Sequence, residues 1–127
     1  MDKSNSKYEW NYSEAIAAAE KSGFEVVRSA EDRLLVDIDD TESLRHFKSA
    51  FAILKGHFVL KEVTRWRSKS GEGWHIVLSC KPCDFIMRVA LQACLGSDRK
   101  REALALMMAA DGEKDPSFLF KPPTSST

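Results

Sequence analysis

Apolar residues recur along this chain in short runs, and the spacing within each run predicts its element. Leu44, Phe47, Phe51 and Leu54 fall at helical intervals. Asp40 or Thr41 before them suits an N-cap, and Gly56 after them is the expected stop. Tyr12-Ser13-Glu14 followed by an Ala/Ile run reads as an earlier capped helix ending at Gly23. Pro82 and Asp84 open a third helix with Ile86, Val89, Ala90 and Ala93 on one face, closed by Gly96. Ser97 is the expected cap of a fourth, which carries Leu104, Met107 and Met108 and ends near Gly112. Between the helices the period changes to two. Phe24 to Arg28 and Arg33 to Ile38 read as a hairpin around Ser29–Asp32. Phe58 to Arg67 and Trp74 to Ser79 read as a longer hairpin around Ser68–Gly73. Ser117 to Phe120, bracketed by prolines, is a last edge strand.

The resulting order is α-β-β-α-β-β-α-α-β, and it contains the βαββαβ series of the split ferredoxin-like unit. The expected fold class is therefore α+β: a ferredoxin-like or RRM-like antiparallel sheet with helices on one face. With 127 residues there is room for one core. Residues 1–11 are expected to be a loose leader, 12–121 a single domain and 122–127 a polar tail. A composition of 43% apolar and 30% charged residues belongs to globular proteins. Neither a signal pattern nor an apolar run of membrane-spanning length is present, and the three cysteines fit reduced thiols. These features predict a cytoplasmic protein without a membrane partner.

Net charge is zero, which removes whole-protein attraction to nucleic acid, but the charges are segregated. From Glu31 to Glu42 six carboxylates accompany one arginine, and from Lys55 to Lys69 five basic residues accompany one glutamate. Strand parity sorts the acidic stretch: Leu34, Val36 and Ile38 point one way, Asp37 and Asp39 the other. Two carboxylates at that spacing repel unless water, a cation or a basic partner offsets them, and Mg²⁺ sites use such pairs with substrate phosphates. An isolated pair can equally end a strand and cap the next helix. The same parity separates Trp74, Ile76 and Leu78 from His75, so His75 is expected on the face of Asp37 and Asp39. In the turn before it, Ser68–Gly73, backbone N–H groups can face an anion with Lys69 nearby.

Leu35-Val36-Asp37-Ile38-Asp39 resembles the first motif of archaeo-eukaryotic primases and the primase-polymerases of mobile elements. Ser70-Gly71-Glu72-Gly73-Trp74-His75 resembles their second, Gly-rich motif. The segment around Arg88 and Leu95-Gly96-Ser97-Asp98-Arg99-Lys100-Arg101 is similar to one in some phage and plasmid primase-like proteins. The resemblance implies a primase-like protein of phage or mobile-element DNA replication that binds nucleotide or single-stranded nucleic acid. It implies Mg²⁺ or Mn²⁺ held by Asp37 and Asp39, and phosphate contact by His75. Asp37, Asp39 and His75 are thus the candidate catalytic residues, and Ser70, Gly71, Gly73, Lys69, Arg65 and Arg67 the candidate phosphate contacts. The family's third motif adds an acid on a later strand, and Ser117–Phe120 holds none. Asp98 and Asp115 are the nearest substitutes, Asp98 being expected simply to complement a helix dipole. That ligand count predicts nucleotide or single-strand binding without efficient primer synthesis.

Other readings remain. Cys80-Lys81-Pro82-Cys83 has metal-ligand spacing, with Cys94 or His75 as further ligands, but a structural zinc site wants four. Trp66 with Arg65 and Arg67 can stack on a single strand, although a strand tryptophan usually joins a core. The alternatives to an enzyme are a catalytically inactive RRM-like module binding single-stranded nucleic acid or a replication protein, and a protein-binding regulatory module.

Overall fold

The computed structural model describes residues 9–123. The expected leader over residues 1–8 and the tail from 124 lie outside the described residues. Residues 9–11, expected in the leader, already belong to the first helix. The elements are α1 (Glu9–Lys21), β1 (Glu25–Arg28), β2 (Arg33–Ile38), α2 (Thr41–Phe58), β3 (Lys61–Arg67), β4 (Trp74–Ser79), α3 (Phe85–Cys94), α4 (Arg99–Ala110) and β5 (Phe118–Lys121). The order matches the expected one, and the fold is α+β with antiparallel sheets. Among the described residues no helix is long and apolar enough to cross a membrane.

The chain divides into two compact units, one made of the residues up to Val27 with those from Phe118 onward, the other of Arg28–Ser117. In the first, α1 ends in a Schellman motif: Phe24 N–H donates to Ala19 O, Gly23 N–H to Glu20 O, and Gly23 takes φ 85°. Here β1 and β5 form a two-stranded sheet. Both strands therefore depart from expectation. Instead of closing a hairpin with β2, β1 pairs with β5, and only an isolated bridge, Ala30 to Arg33, joins the segment between β1 and β2.

The second unit carries the three-stranded sheet β2-β4-β3. Leu34, Val36 and Ile38 of β2 and Ile76 and Leu78 of β4 form one apolar face, as parity predicts. Phe47, Leu44, Phe51 and Leu54 of α2, Leu91 of α3 and the α3 C-cap residue Leu95 complete this core. The capping oxygens are those of Asp40 for α2, Asp84 for α3 and Asp98 for α4. Ser97, the expected cap of α4, instead has its hydroxyl buried one residue earlier. The stop of α2 also differs. Gly56 lies within the last turn, and the left-handed position falls to Val59, φ 55° and ψ 50°, closed by Leu60 N–H to Lys55 O. A β-branched residue is strained there, so tertiary packing of the following strand has overridden local preference.

In a split ferredoxin-like sheet the fourth strand would lie beside the first, here against the outer edge of β2. With β5 paired to β1, the partners of the β2 edge are side chains of α3, α4 and the turn between them, and one backbone N–H of that turn. Gln92 Oε1 accepts from Leu35 N–H at 2.9 Å, and Ser97 Oγ accepts from Asp37 N–H at 2.9 Å. Asp98 N–H donates to Asp37 O at 2.8 Å. Arg101 Nη1 donates to Leu35 O at 3.3 Å. Buried backbone groups must find partners, and these replace a ladder.

Candidate functional site

All the residues of interest lie in the unit Arg28–Ser117. Asp37 and His75 are direct cross-strand partners on β2 and β4. Both point away from the core, and His75 Nε2 stands 3.4 Å from Asp37 Oδ1. This shared face is narrower than parity suggests. Leu35 and Val77, next along it, are buried, and the side chains of Asp37 and His75 are each 20% exposed. The ring of His75 is edge-on to Trp66 of β3, centroids 5.5 Å apart, and its Nδ1 is buried with no hydrogen-bond partner.

Asp39 lies just beyond the end of β2, exposed. Asp98 reaches the same place from the N-terminus of α4, because its own N–H is bonded to Asp37 O. Carboxylate oxygens of Asp37, Asp39 and Asp98 lie within 4.8 Å of one another. Burial pushes the Asp39 carboxyl above the ordinary range, the charges of Asp37, Asp98 and Asp40 push it further, and His75 opposes them. Asp40, by contrast, leaves the cluster to cap α2. It accepts from Ser43 N–H at 2.7 Å, which lowers its pKa. Three carboxylate oxygens with no nitrogen or sulfur donor form a set suited to a hard divalent cation. The ligand count drawn from sequence is thereby corrected. Asp98 joins the pair from a helix rather than a strand, while Asp115 bonds Arg88 Nη2 at 3.0 Å.

Gly73 sets how closely β4 approaches this cluster. A Cβ there would collide with the Ile38 carbonyl oxygen and stand 3.0 Å from Asp39 Cα. The turn before it is internally bonded: Gly71 N–H donates to Ser68 O at 2.9 Å, Glu72 N–H to Ser70 Oγ at 3.3 Å and Gly73 N–H to Ser68 Oγ at 3.0 Å. Those three N–H groups thus serve the turn itself, and Lys69 and Ser70 are exposed on it. Arg65 and Arg67 stand on the other face from His75, since Trp66 is the residue opposite it. Their guanidinium groups lie 5.5 and 4.7 Å from the Trp74 ring, and Arg65 also binds Glu62 at 2.8 and 2.5 Å. Alternation along β3 therefore turns the two arginines away from His75 and brings Trp66 beside it.

The remaining candidates fall outside this cluster. Cys80, Cys83 and Cys94 are free thiols, and burial, then Cys83, push the Cys80 thiol up to about 11. Among the described residues, no group of three potential metal ligands includes a cysteine. His46 Nε2 lies 3.0 Å from the Cys94 carbonyl, and His57 packs edge-on against Phe58. No protein-family model matches the chain, and neither the curated proteins nor the solved structures compared include a significant match.

Proposed function

We propose that this chain is a primase-like nucleotide-binding protein of the kind that serves phage or mobile-element replication. Asp37, Asp39 and Asp98 hold Mg²⁺ or Mn²⁺, and His75 contacts the phosphates of a nucleotide or single strand. The observation that carries this reading is the convergence of a third carboxylate, Asp98, on the Asp37–Asp39 pair beside His75. When bound, the cation would offset the repulsion among the carboxylates and attract phosphate oxygens. Asp37 Oδ1 stands 3.4 Å from His75 Nε2, so one carboxylate borders both the cation position and the imidazole. Three acids in place of two make the protein a candidate nucleotidyltransferase.

A second reading has its own support. Trp66 shares the face of His75 and could stack on a base without any metal. Both are tested by titrating a labelled nucleotide and a short single-stranded DNA into wild type, Asp37→Ala/Asp39→Ala and Trp66→Ala, with and without Mn²⁺. The proposal expects Mn²⁺-dependent nucleotide binding that the double variant loses. Metal-independent DNA binding abolished only by Trp66→Ala would replace it with the second reading. Absence of both would reject the site.

A further inference from the structure

We infer that Ser97 and Glu102 are positioning residues for the carboxylate cluster, an inference that rests on the metal-binding reading above. Ser97 meets β2 at the backbone of Asp37 itself: its hydroxyl oxygen accepts from Asp37 N–H at 2.9 Å, and the next residue's N–H donates to Asp37 O at 2.8 Å. Ser97 and Asp98 thus clamp Asp37 from both sides, as a two-residue strand would. The clamp leaves the Asp98 side chain beside Asp37 and Asp39.

Behind the clamp lies Glu102, one turn into α4 and only 3% exposed. Its Oε2 accepts from the Ser97 hydroxyl at 2.7 Å and from Arg101 Nη1 at 2.7 Å, and its Oε1 accepts from Gln92 Nε2 at 2.7 Å. Gln92 in turn holds Leu35 N–H, and Arg101 Nη2 donates to Ser117 Oγ at 2.8 Å. Ser97 therefore has its proton fixed toward Glu102 and a lone pair fixed toward Asp37, which removes the freedom of a hydroxyl rotor. Buried polar groups of this number are costly unless every member is paired. Apolar side chains could fill the space, but they could not hold the Asp37 backbone and the start of α4 in one register. A metal site depends on such outer partners, whose loss typically lowers metal affinity about 10- to 100-fold.

The test counts free Mn²⁺ by electron paramagnetic resonance in titrations of wild type, Ser97→Ala, Asp98→Asn and the double variant, with circular dichroism reporting the fold. Ser97→Ala should keep its fold and lose about 10-fold or more in Mn²⁺ affinity. If Ser97 acts through Asp98, the double variant should bind no more weakly than Asp98→Asn alone. A lowered melting temperature with unchanged Mn²⁺ affinity would make Ser97 merely structural and overturn the inference. Strictly additive losses would overturn it too, because Ser97 would then act elsewhere. Failure of wild type to bind Mn²⁺ would instead remove the metal reading, and this inference with it. Should Ser97→Ala not fold, Ser97→Cys, nearly the same size but a weak hydrogen-bonding group, is read by the same criteria.

Discussion

The two edges of the three-stranded sheet solve one problem in different ways. Along β3 the outer edge faces solvent: Lys61, Glu62 and Val63 are exposed, and the register shifts between Glu62 and Thr64. A bulge and charged side chains are the usual means of keeping an open edge from pairing with another chain. Along β2 the backbone is buried instead, and Gln92, Ser97, Asp98 and Arg101 supply its partners. The first solution is generic and almost any polar sequence would provide it. The second needs particular atoms at particular places, and in providing them it carries Asp98 to Asp37 and Asp39. The lesson is that the buried edge, more than the strand motif, assembles the carboxylate cluster.

Three substitutions test that contrast. The largest effect is expected where β4 closes on the end of β2. Gly73→Ala sets a methyl group against the Ile38 carbonyl, and the backbone has to move. Chemical denaturation should show a loss of about 3 kcal/mol or more, together with loss of any Mn²⁺ affinity, because Asp39 shifts with the strand end. A near-neutral result would mean that the approach of the two strands is loose.

Next comes the hub of the β2 edge. Glu102→Ala leaves donors on Gln92, Ser97 and Arg101 without their acceptor and should cost about 3 kcal/mol. The cost should also depend on pH. Burial raises the Glu102 carboxyl above its ordinary value, while Arg101 and the hydrogen bonds from Ser97 and Gln92 oppose that shift. A raised native value favours the protonated form, so its contribution is complete below the ordinary value and is lost as pH rises through the native one. Urea unfolding between about pH 4 and pH 7 should therefore show the advantage of wild type over the variant shrinking as pH rises. A widening advantage would show that the hydrogen-bond donors outweigh burial.

The smallest effect is expected on the open edge. Val63 is 63% exposed beside the bulge, and Val63→Lys should change stability by no more than about 0.5 kcal/mol. Thermal melting of this variant beside Glu102→Ala measures the contrast directly. A large loss from Val63→Lys would mean that β3 is covered in solution and that the two edges are alike.

Much of the framework was legible from local rules. Parity placed Leu34, Val36 and Ile38 in the core and His75 on the face of Asp37, while the register that makes those two direct partners came from the fold. Trp74 to Ser79 matched β4 residue for residue, and Asp84 capped α3 as its position implied. Where local signals competed, they failed. Gly56 looked like a stop, but α2 continued to Phe58 and left Val59 in the left-handed position. Ser97 looked like a cap, but Asp98 one residue later took that role.

By itself, then, the sequence determined the elements, the core face and the shared face of Asp37 and His75. All of these follow from periods of two and 3.6 that a few neighbouring residues can establish. Only the tertiary structure decided which strand β5 would join, which arginines would share a face with Trp74, and that Asp98 would complete the acidic cluster. Those outcomes depend on hydrogen bonds between distant segments, such as Asp98 N–H to Asp37 O. Such bonds form because a buried edge cannot leave its backbone groups unpaired, and no pattern within either segment names its partner.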